Sequence, residues 1–350
     1  MTKTIRLATQ ADNNDLLSLT GETMPGMMSI SQDYSPNFFD ATHIHGDNVF
    51  TVVCDNEGEL MLKGTIASSV GFLNGEKKKI GYLGGLHTSD KYRGTIFLPK
   101  SFVKLNQIRD RSVPFYFTTI VSANENAQTL LEKKRSFMPT YDYVADLSIF
   151  VMKAKTAKHS PSVRQASEGD LDELVAFYNS HAPSRNGFYD VGSSLERNEL
   201  FDLIPADFLV YDDGKIRGAL AQWNQQETRR LHVNSYSVPG NILRHSWNAT
   251  LGMAKWPTFP KPNEALDISY GSFMLAQDDN QDITSALINS AIASSPSEYI
   301  LFGSTNTDRN LALLQSYRTY EYKSKVYAVT FEDDKVTFDN RPIHLEVGML

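Results

Sequence analysis

The residues best placed to do chemistry lie in YLGGLHTSDKYRGTIFLPKSFVKL, from Tyr82 to Leu105. An apolar strand pattern stops at a polar turn, and an amphipathic pattern restarts beyond Arg93 and Gly94. Free backbone amides at a helix start, beside a guanidinium, attract an anion, often a phosphate. His87 stands at the end of the strand pattern, where an imidazole titrates near neutral pH and can move protons; a hydrogen-bonding surface histidine is the plainer reading. Tyr116 and Thr118 alternate onto one face of the apolar run FYFTTIV. His43 and His45, two apart in THIHGD, resemble half a metal site, but no second ligand cluster accompanies them. They read as two polar residues in a loop, and no metal is expected. GETMPGMMSISQDYSPNFF is a long loop rich in Met, Gly and aromatic residues. Met27, Phe38 and Phe39 are its candidates for an apolar substrate wall, with core anchoring as the alternative for the two phenylalanines.

The chain that must position these residues has 350 residues, 41% hydrophobic and 21% charged. That length predicts two domains. The single cysteine, Cys54, lies in VFTVVC and reads as a buried thiol, with no intramolecular disulfide. MTKTIRLATQADNND has no apolar core typical of a secretory signal, and no apolar run is long enough to cross a membrane. The expectation is a soluble, cytoplasmic protein with no membrane contact. A net charge of −7 argues against nucleic acid as a partner. Most of that charge falls in residues 153–350, so the first half repels a polyanionic ligand less.

The chain repeats itself. TIRLATQADNNDLLSL (4–19) aligns with SVRQASEGDLDELVAF (162–177), matching Arg6 with Arg164, Ala8 with Ala166, Asp12 with Asp170 and Leu16 with Leu174. FTVVCD at Phe50 aligns with FLVYDD at Phe208, and SANENAQTLLEKKRSF (122–137) with STNTDRNLALLQSYRTY (304–320), Asn124 opposite Asn306. Three matches in one order point to an internal duplication. Each half reads as a strand, a helix capped by Asp12 or its counterpart, three further strands, and then strand–helix units. The predicted fold is α/β: residues 1–152 and 163–350 each form a mixed, mostly antiparallel sheet flanked by helices, joined by a polar linker at 153–162. VPGNILRHSWNATLGMAKWPTFPKP (238–262) has no counterpart in the first half and is expected to cover a sheet edge or an interdomain contact.

This order of elements, with YLGGLHTSDKYRG and IVSANENAQTLLEKK at the centre, resembles the GNAT acyltransferase superfamily, and its bacterial tandem members in particular. MPGMMSISQDYSPNFF and NRPIHLEVGML resemble further segments of that tandem group, so the likeness spans nearly the whole chain. It implies two central strands that splay apart and a cofactor arm that adds to the exposed edge. Contacts to that arm fall at Leu86, His87 and Thr88, with the pyrophosphate on Arg93, Gly94, Thr95 and Ile96 and a polar contact from Asn124. Two departures stand out. The usual glycine-rich loop carries Ile96 and Leu98 where later glycines are expected, and the tyrosine that often protonates the leaving thiolate is replaced by Leu131, with Gln315 in the second half. The second turn, LAQDDNQDITSAL, holds Asp278, Asp279 and Asp282 and no arginine, so the second copy is expected to bind no pyrophosphate.

The resemblance implies an N-acyltransferase that passes an acetyl or other acyl group from acetyl-CoA, or another acyl-CoA, to a small-molecule or peptide amine by direct attack. The alternative is a catalytically silent binding protein for CoA or a metabolite. His87 and Tyr116 are the side-chain candidates for proton transfer, and some relatives use a chain-terminal carboxylate as base, which points to Leu350 or to nearby His344. The two copies make an internal pseudo-dimer, so a monomer or a homodimer is compatible. Acetyl-CoA at ~100 times its Kd adds roughly 2.7 kcal/mol of stability, so it should raise the melting temperature visibly. Arg93→Glu should remove most of that shift and Asp279→Ala none of it; no shift in the wild type with any acyl-CoA would mean that the cradle is closed.

Overall fold

The computed structural model describes residues 3–20, 28–92, 97–133, 138–331 and 335–350. The first half supplies strands β1 (Lys3–Leu7), β2 (Met28–Asp33), β3 (Asn48–Asn56), β4 (Glu59–Leu73), β5 (Glu76–Thr88), β6 (Tyr116–Val121) and β7 (Thr140–Lys153). Its helices are α1 (Asn13–Thr20), α2 (Phe38–Thr42), α3 (Phe97–Ile108) and α4 (Glu125–Leu131). The second half supplies β8 (Val163–Gln165), β9 (Phe208–Asp212), β10 (Ile216–Trp223), β11 (Arg230–Tyr236), β12 (Glu264–Ala265), β13 (Ile268–Ala276), β14 (Tyr299–Thr305) and β15 (Thr319–Thr330). Its helices are α5 (Leu171–His181), α6 (Val191–Glu196), α7 (Val238–Thr250), α8 (Gln281–Ser294) and α9 (Asn310–Gln315).

The residues matched between the halves do the same physical work. Asp12 accepts both nitrogens of Arg6 at 2.7 Å and the Thr9 amide at 2.7 Å. Asp170 does the same with Arg164 and Ser167. Each arginine then reaches the end of the neighbouring strand, Arg6 to Asp55 at 3.4 Å and Arg164 to Asp212 at 2.8 Å. The guanidinium and the Thr9 amide hold the Asp12 carboxyl down at about 2. Asp12 is therefore not the helix cap expected from the sequence. It sits at the end of a 3-10 turn and ties that turn to the sheet.

The described strands form one twelve-stranded sheet, in the order β1-β3-β4-β5-β6-β15-β7-β14-β13-β10-β9-β8, and a small sheet β12-β11-β2. The halves exchange their last strands. β15 pairs antiparallel with β6 from Val329↔Tyr116 to Ser324↔Val121, and β7 pairs with β14 from Tyr299↔Lys153 to Thr305↔Leu147. β15 and β7 then pair with each other along their length. The two units expected from the sequence are thus fused through a shared centre. Alternation along the strands sends Leu83, Ile120, Tyr327 and Val329 to a core under α3 and α4, while Phe117, Leu147, Val326 and Tyr270 face a core on the opposite side with α5 and α6.

Each half also contains a fork. Parallel β5 and β6 pair only at Gly81↔Tyr116 and Tyr82↔Phe117. β13 and β14 pair from Ile268↔Tyr299 to Tyr270↔Leu301. Past each contact the outer strand carries a bulge. The β4–β5 register slips between Lys63 and Thr65, opposite Gly85 at φ +59°, and the β10–β13 register slips opposite Phe273 at φ +53°. A glycine tolerates that left-handed backbone without strain.

Strand exchange makes each half depend on the other. Residues 1–158 and 159–350 expressed separately should show no cooperative thermal unfolding, because β6 and β14 each lose a full-length neighbour; co-expressed, they should assemble and melt as one unit. A separate half that melts cooperatively would contradict this architecture.

Candidate functional site

A cavity of about 460 Å³ passes through the first fork. On one face of the sheet it is lined by Phe102 and Leu105 of α3 and by Ala127 and Leu131 of α4. In the fork it meets Gly84, Gly85 and Leu86 on one side and Thr118, Val121 and Asn124 on the other. Gly85 and Leu86 have no register partner in β4, and β5 has none in β6 beyond Tyr82. Their backbone groups border an opening with no strand across it. On the opposite face the cavity reaches Gln32, Tyr34, His45, Tyr82, Arg229 and Leu350, then continues as an apolar arm over the exchanged strands, past Tyr322, Ile149 and Leu301 toward Phe259.

The polar end of the cavity is built by the last residues of the chain. Arg229 is 4% exposed. It donates to the backbone oxygen of Leu350, to Gly348 O at 3.1 Å and to Gln225 Oε1 at 2.7 Å. His45 Nδ1 donates to Met349 O at 2.6 Å, which leaves Nε2 as the unprotonated nitrogen of the neutral ring. The ring packs on Tyr82 with centroids 5.1 Å apart. Burial first, and then the charges of Arg229 and Lys63, hold the His45 pKa down at about 3. Burial likewise pushes the Tyr82 and Tyr34 hydroxyls up, so both stay protonated. Tyr34 donates to Gln32 Oε1 at 2.5 Å.

The residues singled out from sequence are distributed unevenly. Leu86, Asn124 and Leu350 line the cavity. Asn124 Oδ1 caps α4 by accepting the Ala127 amide at 3.1 Å. His87 is buried in register with Lys63, and Thr88 lies beside it; neither lines the cavity. Tyr116 turns to the α3 face and lines a separate cavity of about 280 Å³ with Arg109 and Asp110. It does not line the cavity at the first fork, whereas Thr118, two residues on in the same strand, does. Phe38 is fully buried and Phe39 packs edge-on against it at 5.7 Å, so both anchor α2 in a core with Leu16 and Val53. Met27, Arg93, Gly94, Thr95 and Ile96 lie outside the described residues. His344 stacks on Phe188 in the second half, away from this cavity. His43 and His45 stand in a 3-10 turn and not a loop: His43 is exposed, whereas His45 is 6% exposed and faces the cavity. Among the described residues no group of metal-ligating side chains is present.

The second fork is filled. Glu346 Oε2 accepts the Phe273 amide at 2.6 Å, where the bulge would otherwise present a free N–H. Val347 occupies the space that a side chain at Gly303 would need. RPIHLEVGML alternates like a strand in sequence, but the folded tail is irregular chain ending in a 3-10 turn at Val347–Met349. Asp279 pairs with Arg185, itself 2% exposed, at 2.7 Å, and Asp308 holds the other side of that guanidinium at 3.3 Å.

Solved structures share this architecture. Saccharomyces cerevisiae N-myristoyltransferase with bound myristoyl-CoA aligns with a TM-score of 0.59 at 10% identity, over 93% of this chain and 78% of that one. A putative acetyltransferase from Pyrococcus horikoshii gives 0.51 at 10% identity, over 97% and 95%. A GCN5-related N-acetyltransferase from Anabaena variabilis gives 0.50 at 9% identity, over 93% and 72%. The chain has the GNAT acyltransferase fold, in two copies. No family model and no curated protein sequence matches it. The GNAT copies are unequal: one fork is open to a cavity and the other is closed by the chain's own tail. Arg229, His45, Tyr34 and Tyr82 were not found from sequence, because their meeting depends on the contact between β2, β11 and the tail.

His45 gives a measurable pH signature. Its pKa is about 3 in the folded chain against 6.5 for a free imidazole, so below pH 6.5 the unfolded state binds the extra proton and stability falls with pH. Between pH 6.5 and 5 this removes about 2 kcal/mol. The urea midpoint of the wild type should therefore fall more over that interval than that of His45→Gln. Parallel curves would show that His45 is not buried as described.

Proposed function

We propose that the chain is an N-acyltransferase whose first GNAT copy binds acetyl-CoA or another acyl-CoA and passes the acyl group to an amine. The observation that carries this reading is the cavity that crosses the sheet at the first fork. A pantetheine arm can enter between α3 and α4 and pair with the open edge of β5, which places the thioester beside Gly85 and Leu86. The amine approaches from the opposite face, at the Arg229 and His45 end. Asn124 and Leu86 flank the arm, and Arg93 to Ile96 receive the pyrophosphate.

In this reading the amine nitrogen attacks the thioester carbon. The carbonyl oxygen gains charge and accepts hydrogen bonds from the bulge amides, a fixed donor set. The carbon–sulfur bond then breaks and CoA leaves as the thiolate. The proton lost by the amine goes to the main-chain carboxylate of Leu350, which Arg229 orients, and the thiolate is protonated on release. His45 holds the same tail through Met349 O and acts as a positioning residue. Leu131 stands where many relatives carry an acid, so the thiolate proton comes from solvent.

CoA release from acetyl-CoA across a panel of amines tests the reading. Removal of Met349 and Leu350 should lower turnover by at least ~10²-fold, the usual scale for a lost general base, while the stabilisation by acetyl-CoA persists. Unchanged turnover would remove the tail from the reaction. Loss of both turnover and CoA-dependent stabilisation would point to a folding role.

A further inference from the structure

Lys63 is a buried ammonium. It is 4% exposed, and among the described residues it makes no hydrogen bond and no ion pair. Its ammonium lies 4.9 Å from the ring centre of Phe38 and 6.0 Å from that of Tyr34. Such faces compensate a cation in part, but a buried ammonium is costly to leave unpaired. Its surroundings also open toward the cavity. Gly85 lines that cavity, and a Cβ placed on Gly85 would stand 3.7 Å from Lys63 Nζ and 3.5 Å from Thr65 Oγ1. The missing side chain leaves a window through the wall, with an ammonium and a hydroxyl behind it.

The described lining of the cavity offers Lys63 no free anion, since the Leu350 carboxylate is held by Arg229. No Asp or Glu side chain is among its described lining residues, and Arg229 is already engaged by the tail. Beyond the window the arm is apolar, through Ile149, Leu231, Ile268 and Leu301. A ligand matched to this arrangement carries a carboxylate close to the reacting centre and an apolar body beyond it.

We propose that the window at Gly85 is a carboxylate subsite, with Lys63 as its cation, and that the acceptor is an apolar amino acid bound by its carboxylate there and by its side chain in the arm. The proposal rests on the acyl-transfer reading of the same cavity. A carboxylate could also arrive on the donor, as in succinyl-CoA, so the experiment separates the two sources.

Isothermal titration of the full chain, saturated with CoA, would compare phenylalanine with phenethylamine and leucine with isoamylamine. The amino acids should bind about 30-fold more tightly than the amines that lack the carboxylate, the scale of one charge-assisted hydrogen bond. Lys63→Met, which keeps length and apolar packing, should abolish that preference and leave CoA binding unchanged. Equal binding of each pair, binding of neither, or a preference that survives Lys63→Met overturns the subsite. A parallel comparison of succinyl-CoA with butyryl-CoA should show no dependence on Lys63; a Lys63-dependent preference for succinyl-CoA overturns the assignment to the acceptor. Failure of CoA itself to bind would instead refute the acyl-transfer reading.

Discussion

Two parallel strands that pair for two residues and then part are the feature on which the rest of this structure depends. β5 and β6 stay together only at Gly81↔Tyr116 and Tyr82↔Phe117. β6 is held away from β5 by its other neighbour, β15, which continues to Val121. β5 is turned by the bulge at Gly85, which returns it to register with β4 at Lys63↔His87. The opening between them exposes strand-edge groups that a ligand, another segment or water must satisfy.

The two copies answer that demand differently. In the second fork the tail serves, with Glu346 on the Phe273 amide and Val347 against Gly303. The buried Arg185–Asp279–Asp308 group fixes the turn where the first copy carries Arg93. In the first fork a cavity remains. One segment thereby performs two tasks, because the residues that close the second fork run on to place Leu350 against Arg229 at the mouth of the first. The two forks thus differ without any change of fold.

Local features were legible in the sequence and distant ones were not. The Arg6–Asp12 and Arg164–Asp170 pairs span six residues, so a repeat in the sequence translates directly into a repeated ion pair. The NEGE segment at 56–59 is another local signal, and it forms the turn between β3 and β4. The exchange of β7 and β15 could not be read, since either partner of β6 satisfies the same apolar pattern. His45 appeared as a loop residue because the backbone oxygen that holds it belongs to Met349. Lys63 lay in an ordinary strand pattern, and only the bulge across from it brings its ammonium to a glycine that borders the cavity. Phe38 was open to two readings from the sequence, a pocket wall or a core anchor, and the folded chain uses it as an anchor.

The most direct test is a crystal structure with a non-hydrolysable acyl-CoA analogue. The proposed function predicts one molecule per chain, its pantetheine between α3 and α4 and its carbonyl at Gly85 and Leu86. A ligand in the second fork with the tail displaced, or an empty first fork at saturating concentration, would contradict it.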